Sequence, residues 1–120
     1  MQPQPLITTD DVATTSAWFQ AVLGLKSGHG GAQYEQLMHD GRMVLQLHQW
    51  DAHDHPHLGD KLEHSRGNGV VLWFLTDDFD ALVKRVAKHK AHVLETPKVN
   101  PSANHREIWL RDPNGYVIVV

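Results

Sequence analysis

The chain runs twice through one order of elements, and this internal repeat limits its fold more than any other feature of the sequence. The first pass opens with an extended run, Leu6 to Thr9, followed by Asp10-Asp11. Trp18, Phe19, Val22 and Leu23 then recur at helical spacing, which predicts a helix from about Thr14 to Leu23, stopped by Gly24. Extended runs follow at Lys26–His29, Ala32–His39 and Arg42–Gln49. Gly28, Gly30-Gly31 and Asp40-Gly41 punctuate them, the last as a hairpin turn. The second pass opens with Gly69 to Thr76 and Asp77-Asp78. Phe79, Leu82, Val83 and Val86 sit at i, i+3, i+4 and i+7 of a helix reaching about Lys90. Strands are expected at His92–Thr96, His105–Arg111 and Tyr116–Val120, with Asp112-Pro113-Asn114-Gly115 turning between the last two. Each half is strand–helix–strand–strand–strand. The expected class is α+β, with two βαβββ modules at about residues 1–60 and 66–120 in a single domain spanning 1–120.

Composition removes several classes of function. The chain has no cysteine, which excludes disulfide frameworks, thiolate metal sites and cysteine nucleophiles. Its 11 basic and 14 acidic side chains give a net charge of -3, which marks no nucleic-acid surface. No apolar run approaches a membrane span. Met1-Gln2-Pro3-Gln4-Pro5 has no basic segment followed by an apolar one, so a cytoplasmic location is expected. Val120 falls on the last expected strand, so a short tail is expected to follow it. The compositional anomaly is histidine: of 10 in the chain, six lie between His39 and His64.

Alternation along the strands separates two faces. Ile108 and Leu110 point one way, and His105, Glu107, Trp109 and Arg111 point the other. Leu45 and Leu47 likewise oppose Val44, Gln46 and His48. The apolar face should pack on a helix. The mixed polar and aromatic face suits either a ligand cavity or a solvated sheet surface. Of Tyr34 and Glu35, one faces the same way as Gln46; alternation does not say which. Trp18 and Trp73 are expected between helix and sheet.

Asp11, then Ser16-Ala17-Trp18-Phe19 and Val22-Leu23-Gly24-Leu25, together with Leu110-Arg111-Asp112-Pro113-Asn114-Gly115-Tyr116, resemble the vicinal oxygen chelate superfamily. That family includes glyoxalase I, extradiol dioxygenases, fosfomycin-resistance enzymes and bleomycin-resistance proteins. The resemblance covers nearly the whole chain. It implies mixed sheets cupped around a cavity, helices on the outer face, and a homodimer with cavities at or near the subunit interface. The family takes metal ligands from the first and last strands of each module. Carried over residue by residue, those positions are Gln4, Gln46, Val70 and Val119. Valine cannot ligate, and two carboxamides alone would not hold a divalent ion. The resemblance therefore implies no metal at the standard positions.

Two functional readings follow. In the first, the chain binds a small organic molecule without cofactor, using Gln4, Gln46, His48, Leu72, Phe74, His105, Glu107 and Trp109. Leu72, Phe74 and Trp109 would form an apolar, aromatic wall. The acidic side chains near the expected mouth favour a cationic or neutral ligand. In the second, it is an enzyme, a lyase, isomerase or dioxygenase, with His48 and Glu107 as catalytic pair. That reading allows a relocated divalent metal (Zn, Fe, Ni or Mn) on His48, His53, His55, His57 and Glu107. The histidine run is equally a polar connection between modules. Val99 to Asn104 has the composition of a loop that could close over a cavity, or of a plain surface connection.

Overall fold

The computed structural model describes residues 2–50, 61, 67–102 and 104–120. The chain divides into two compact units, Met1–His64 and Ser65–Val120. The first contains β1 (Leu6–Thr9), α1 (Val12–Leu23), β2 (Lys26–His29), β3 (Tyr34–His39) and β4 (Arg42–Gln49). The second contains β5 (Val71–Trp73), α2 (Phe79–Lys88), β6 (His92–Asn100), β7 (His105–Arg111) and β8 (Val117–Val119). Each unit has a four-stranded mixed sheet, ordered β1-β4-β3-β2 in the first and β5-β8-β7-β6 in the second. The first strand pairs in parallel with the last, and the other pairings are antiparallel. The expected α+β class and the duplicated βαβββ order are both present.

Local chemistry sets the helix ends. Asp11 caps α1 by accepting the Thr14 N–H at 2.7 Å. That bond holds its carboxyl below the ordinary aspartate range. Gly24 ends the helix at φ 75°, a left-handed conformation that suits glycine, and its N–H donates to the Gln20 carbonyl. Val12, Thr15, Ser16, Phe19, Val22 and Leu23 form the buried stripe of α1, which packs against β2, β3 and β4. Leu37, Leu45 and Leu47 are fully buried in that sheet. Each such leucine contributes about 2 kcal/mol of burial.

In the second unit Asp78 caps α2 by accepting the Ala81 N–H at 2.9 Å. Leu82 and Val86 are its buried residues. Leu72, Ile118 and Leu110 pair across β5, β8 and β7, and all three are buried. The β7–β8 turn is built on Asp112, whose Oδ1 accepts the N–H groups of Asn114 and Tyr116 at 3.0 and 2.8 Å. Burial nevertheless pushes the Asp112 carboxyl above the ordinary range.

Several boundaries differ from expectation, three of them near the site. β3 begins at Tyr34, after the turn around Gly30-Gly31. β5 ends at Trp73, although the Phe74 N–H still donates to the Val119 carbonyl at 2.8 Å. β6 extends to Asn100, absorbing Pro97 in a register irregularity between Glu95 and Lys98. Val99 and Asn100 thus belong to the strand, pairing with Arg106 and His105, and the Asn104 N–H donates to the Asn100 carbonyl. No helix among the described residues is long and apolar enough to cross a membrane.

Candidate ligand site

In the first unit the third strand divides its side chains cleanly. Glu35 lies on the helix side with Leu37, 5% exposed. Its carboxylate accepts from Ser16 Oγ of α1 at 3.0 Å and from Ser27 Oγ at 2.9 Å. Gln20 Nε2 donates in turn to Ser16 Oγ. Tyr34 therefore takes the opposite face, where it pairs with His48, and Gln36 pairs with Gln46. Tyr34 OH donates to Gln46 Oε1 at 2.6 Å and accepts from Gln36 Nε2 at 3.2 Å. Gln46 Nε2 donates to the Gln4 carbonyl at 3.0 Å. His48 Nδ1 donates to the Gln49 carbonyl at 2.9 Å, and its ring lies 6.1 Å from that of Tyr34. The side-chain amide of Gln46 is thus engaged at both ends.

The positions from which the family draws its metal ligands fall on Gln4, Gln46, Val70 and Val119, and these residues do not fit a divalent metal. Val119 is fully buried, paired between Trp73 and Trp109, and Val70 is 47% exposed before β5. Neither has a donor atom, and the Gln46 oxygen already accepts from Tyr34. Among the described residues, no three His, Cys, Asp or Glu side chains form a group that could hold a metal. His53, His55 and His57 lie outside the described residues. His48 belongs to the first unit and Glu107 to the second, and each has neighbours of its own.

The second unit gathers the rest of the expected site. Glu107 is 2% exposed on the face shared with Trp109. Its Oε1 accepts from the Trp109 indole Nε1 at 2.9 Å, and its Oε2 from Asn100 Nδ2 at 3.0 Å. These two bonds, indole first, hold the carboxyl below the ordinary glutamate range against the opposing effect of desolvation; Lys98 and His105 assist. Lys98 Nζ is 4.0 Å from Oε1, and His105 Nε2 is 3.9 Å from Oε2. That imidazole nitrogen is itself buried and has no hydrogen-bond partner. Trp73 completes the cluster, edge-on to Trp109 and to His105 with centroids 6.1 Å apart in both pairs.

Beside it, at the ends of β5 and β7, lies a cavity of about 300 Å³, lined by Trp73, Phe74, Leu75, Phe79, His105 and Arg106 among others. Arg106 carries a surface charge, tied to Asp80 at 2.6 Å and lying over the Phe79 ring at 4.5 Å.

Two expectations on β5 are corrected by the register. Leu72 pairs with Ile118 and belongs to the buried apolar face, away from Glu107 and Trp109. Trp73, expected between helix and sheet, pairs with Val119 and is 47% exposed on the Trp109 face. Trp73, Lys98 and Asn100 were all missing from the expected site. The alternation of Leu72 and Phe74 against Trp73 and Leu75 carried the signal for the tryptophan. Lys98 and Asn100 needed the longer β6.

The family model described as the Glyoxalase/Bleomycin resistance protein/Dioxygenase superfamily matches residues 2–120. No curated protein matches the chain. Among solved structures, an integron cassette protein from the mobile metagenome of V. cholerae is 24% identical, with TM-score 0.74 over 100% of this chain and 92% of that one. Lactoylglutathione lyase from Agrobacterium tumefaciens is 19% identical, with TM-score 0.69 over 100% and 91%. A fosfomycin resistance protein from Mesorhizobium loti is 16% identical, with TM-score 0.68 over 99% and 88%. At these identities the likeness is one of fold.

Proposed function

The chain belongs to the glyoxalase/bleomycin resistance protein/dioxygenase superfamily, and from that premise we propose that it is a metal-free protein binding a small organic molecule at the Trp73–Trp109–Glu107 face. The observation that carries this reading is a half-exposed tryptophan edge-on to a second one, which is hydrogen-bonded to a buried carboxylate. Indole faces supply large apolar contact area, and a few fixed polar groups orient the ligand. The cavity bordered by Trp73 and His105 gives the ligand body room next to the rings.

Glu107 serves recognition in this reading rather than proton transfer. A general base works best with a pKa near the operating pH, whereas Glu107 is shifted downward and has both oxygens hydrogen-bonded. Absence of metal is proposed from the two valines and the engaged Gln46 amide. A homodimer is proposed from edge strand β5, where Val71 is 44% and nearby Leu75 84% exposed. A chain without cysteine draws no stability from an oxidising compartment, and the cytoplasm is the proposed location.

The test has two arms. Mass spectrometry of tag-free protein after mild chelation should find far less than one equivalent of zinc, iron, nickel or manganese; a retained equivalent per chain contradicts the metal-free reading. A thermal-shift screen of planar aromatic compounds should yield ligands whose shift disappears in Trp73→Ala. Hits indifferent to Trp73 would move the site elsewhere.

A further inference from the structure

The Trp109 face already carries one cation, and it belongs to the chain itself. Lys98 Nζ lies 6.0 Å from the Trp109 ring centroid and 4.0 Å from Glu107 Oε1. It is also ion-paired with Glu95 on the same strand. Lys98 is half-exposed on edge strand β6, whereas the Glu107 carboxylate beneath it is almost wholly buried. The position has the composition of an ammonium site: an indole face on one side, two carboxylates on the others. Indole is the aromatic side chain that best attracts a cation. Glu95, Glu107 and Lys98 together leave one negative charge in the cluster, which an incoming anion would meet unfavourably.

We propose that the ligand is an organic cation with an aromatic body, whose ammonium displaces Lys98 from the position over Trp109 between Glu95 and Glu107. The inference rests on this face being the ligand site, and it adds the charge class of the ligand and a competitor built into the chain. An exposed lysine ion pair is held weakly, so its side chain can swing aside. The buried carboxylate cannot be uncovered without a new cation or water to replace it. A quaternary ammonium, which donates no hydrogen bond, would use the indole face and the field of the carboxylates. The aromatic body would lie along Trp73 toward the neighbouring cavity.

The experiment is a tryptophan-fluorescence titration with benzyltrimethylammonium and with its neutral isostere, neopentylbenzene (2,2-dimethylpropylbenzene). Wild type, Lys98→Met, Glu107→Gln and Trp73→Ala are compared. The cation should bind about tenfold more tightly than the isostere, a difference of about 1.4 kcal/mol. Lys98→Met should tighten the cation by roughly tenfold, Glu107→Gln should weaken it by a similar factor, and neither should change the isostere. Equal binding of both probes, or weaker cation binding in Lys98→Met, overturns the cation class. If both probes still lose affinity in Trp73→Ala, the ligand face itself survives that result. Binding indifferent to Trp73→Ala, or no binding of either probe at millimolar concentration, overturns the proposal together with its site.

Discussion

Among the described residues, each unit buries one glutamate, on the third strand of its sheet, and the two are held in opposite ways. Glu35 points toward α1 and is gripped by two serine hydroxyls, one from the helix and one from β2. Glu107 points to the other face of its sheet and is gripped by an indole and a carboxamide, with a lysine close by. The first glutamate fastens helix to sheet. The second sets a negative charge among aromatic rings. The remaining polar groups differ in the same sense. Tyr34, Gln36 and Gln46 satisfy one another in a chain of bonds, while Trp73 leaves half of its ring exposed. One βαβββ plan thus yields a unit whose polar groups satisfy one another and a unit whose acid lies among partly exposed aromatic rings, the face proposed for the ligand, because alternation decides which side of the strand receives the acid.

The largest expected effect separates the two glutamates. Glu35→Leu removes the acceptor of two serine hydroxyls and should cost about 3 kcal/mol in urea unfolding, with unchanged affinity for benzyltrimethylammonium. A loss of affinity matching that of Glu107→Gln would erase the distinction between the units. Trp73→Ala should do the reverse, changing stability by less than about 1 kcal/mol, as for a surface substitution, and lowering probe affinity by about tenfold.

A pH titration sharpens the role of Glu107. Its carboxyl lies below the ordinary glutamate value of 4.5 in the folded protein. A group shifted in that direction stabilises the fold above its unfolded pKa, and the contribution is lost as pH falls through the folded value. Probe affinity that depends on the ionised carboxylate should therefore hold from neutrality down to pH 4.5 and fall only below it. A midpoint above 4.5 would contradict the assignment. The smallest effect is Tyr34→Phe, which removes the bond to Gln46 and should cost about 1 kcal/mol without altering probe binding. A change in affinity would bring the first unit into the site.

The sequence made the scaffold legible because its signals were local. The helix stripe through Phe19, Val22 and Leu23, the Asp40-Gly41 turn and the Asp112 turn depend on neighbours within a few residues. The faces of β4 and β7 followed from alternation alone, so Glu107, Trp109, Gln46 and His48 fell on their expected sides. The choice between Tyr34 and Glu35 was not readable, since the serines that hold Glu35 lie 19 and 8 residues away. Trp73 was placed on the wrong face because both faces of Val71–Trp73 are apolar: alternation separates Leu72 and Phe74 from Trp73 and Leu75 but does not say which pair meets the helix. Its orientation comes from the pairing with Val119. Lys98 escaped notice because the expected strand ended at Thr96, whereas β6 continues through a register irregularity to Asn100.

The central claim is that ligand meets the second unit at Trp73 and Trp109. It is tested most directly by following the four indole N–H signals of the protein in ¹H–¹⁵N spectra during titration with benzyltrimethylammonium. The account predicts that the Trp73 and Trp109 signals move together with one saturation curve. Trp18, packed edge-on against Phe19 on α1 at 5.0 Å, should remain where it is. Saturable movement of Trp18 with Trp73 and Trp109 unmoved would contradict it.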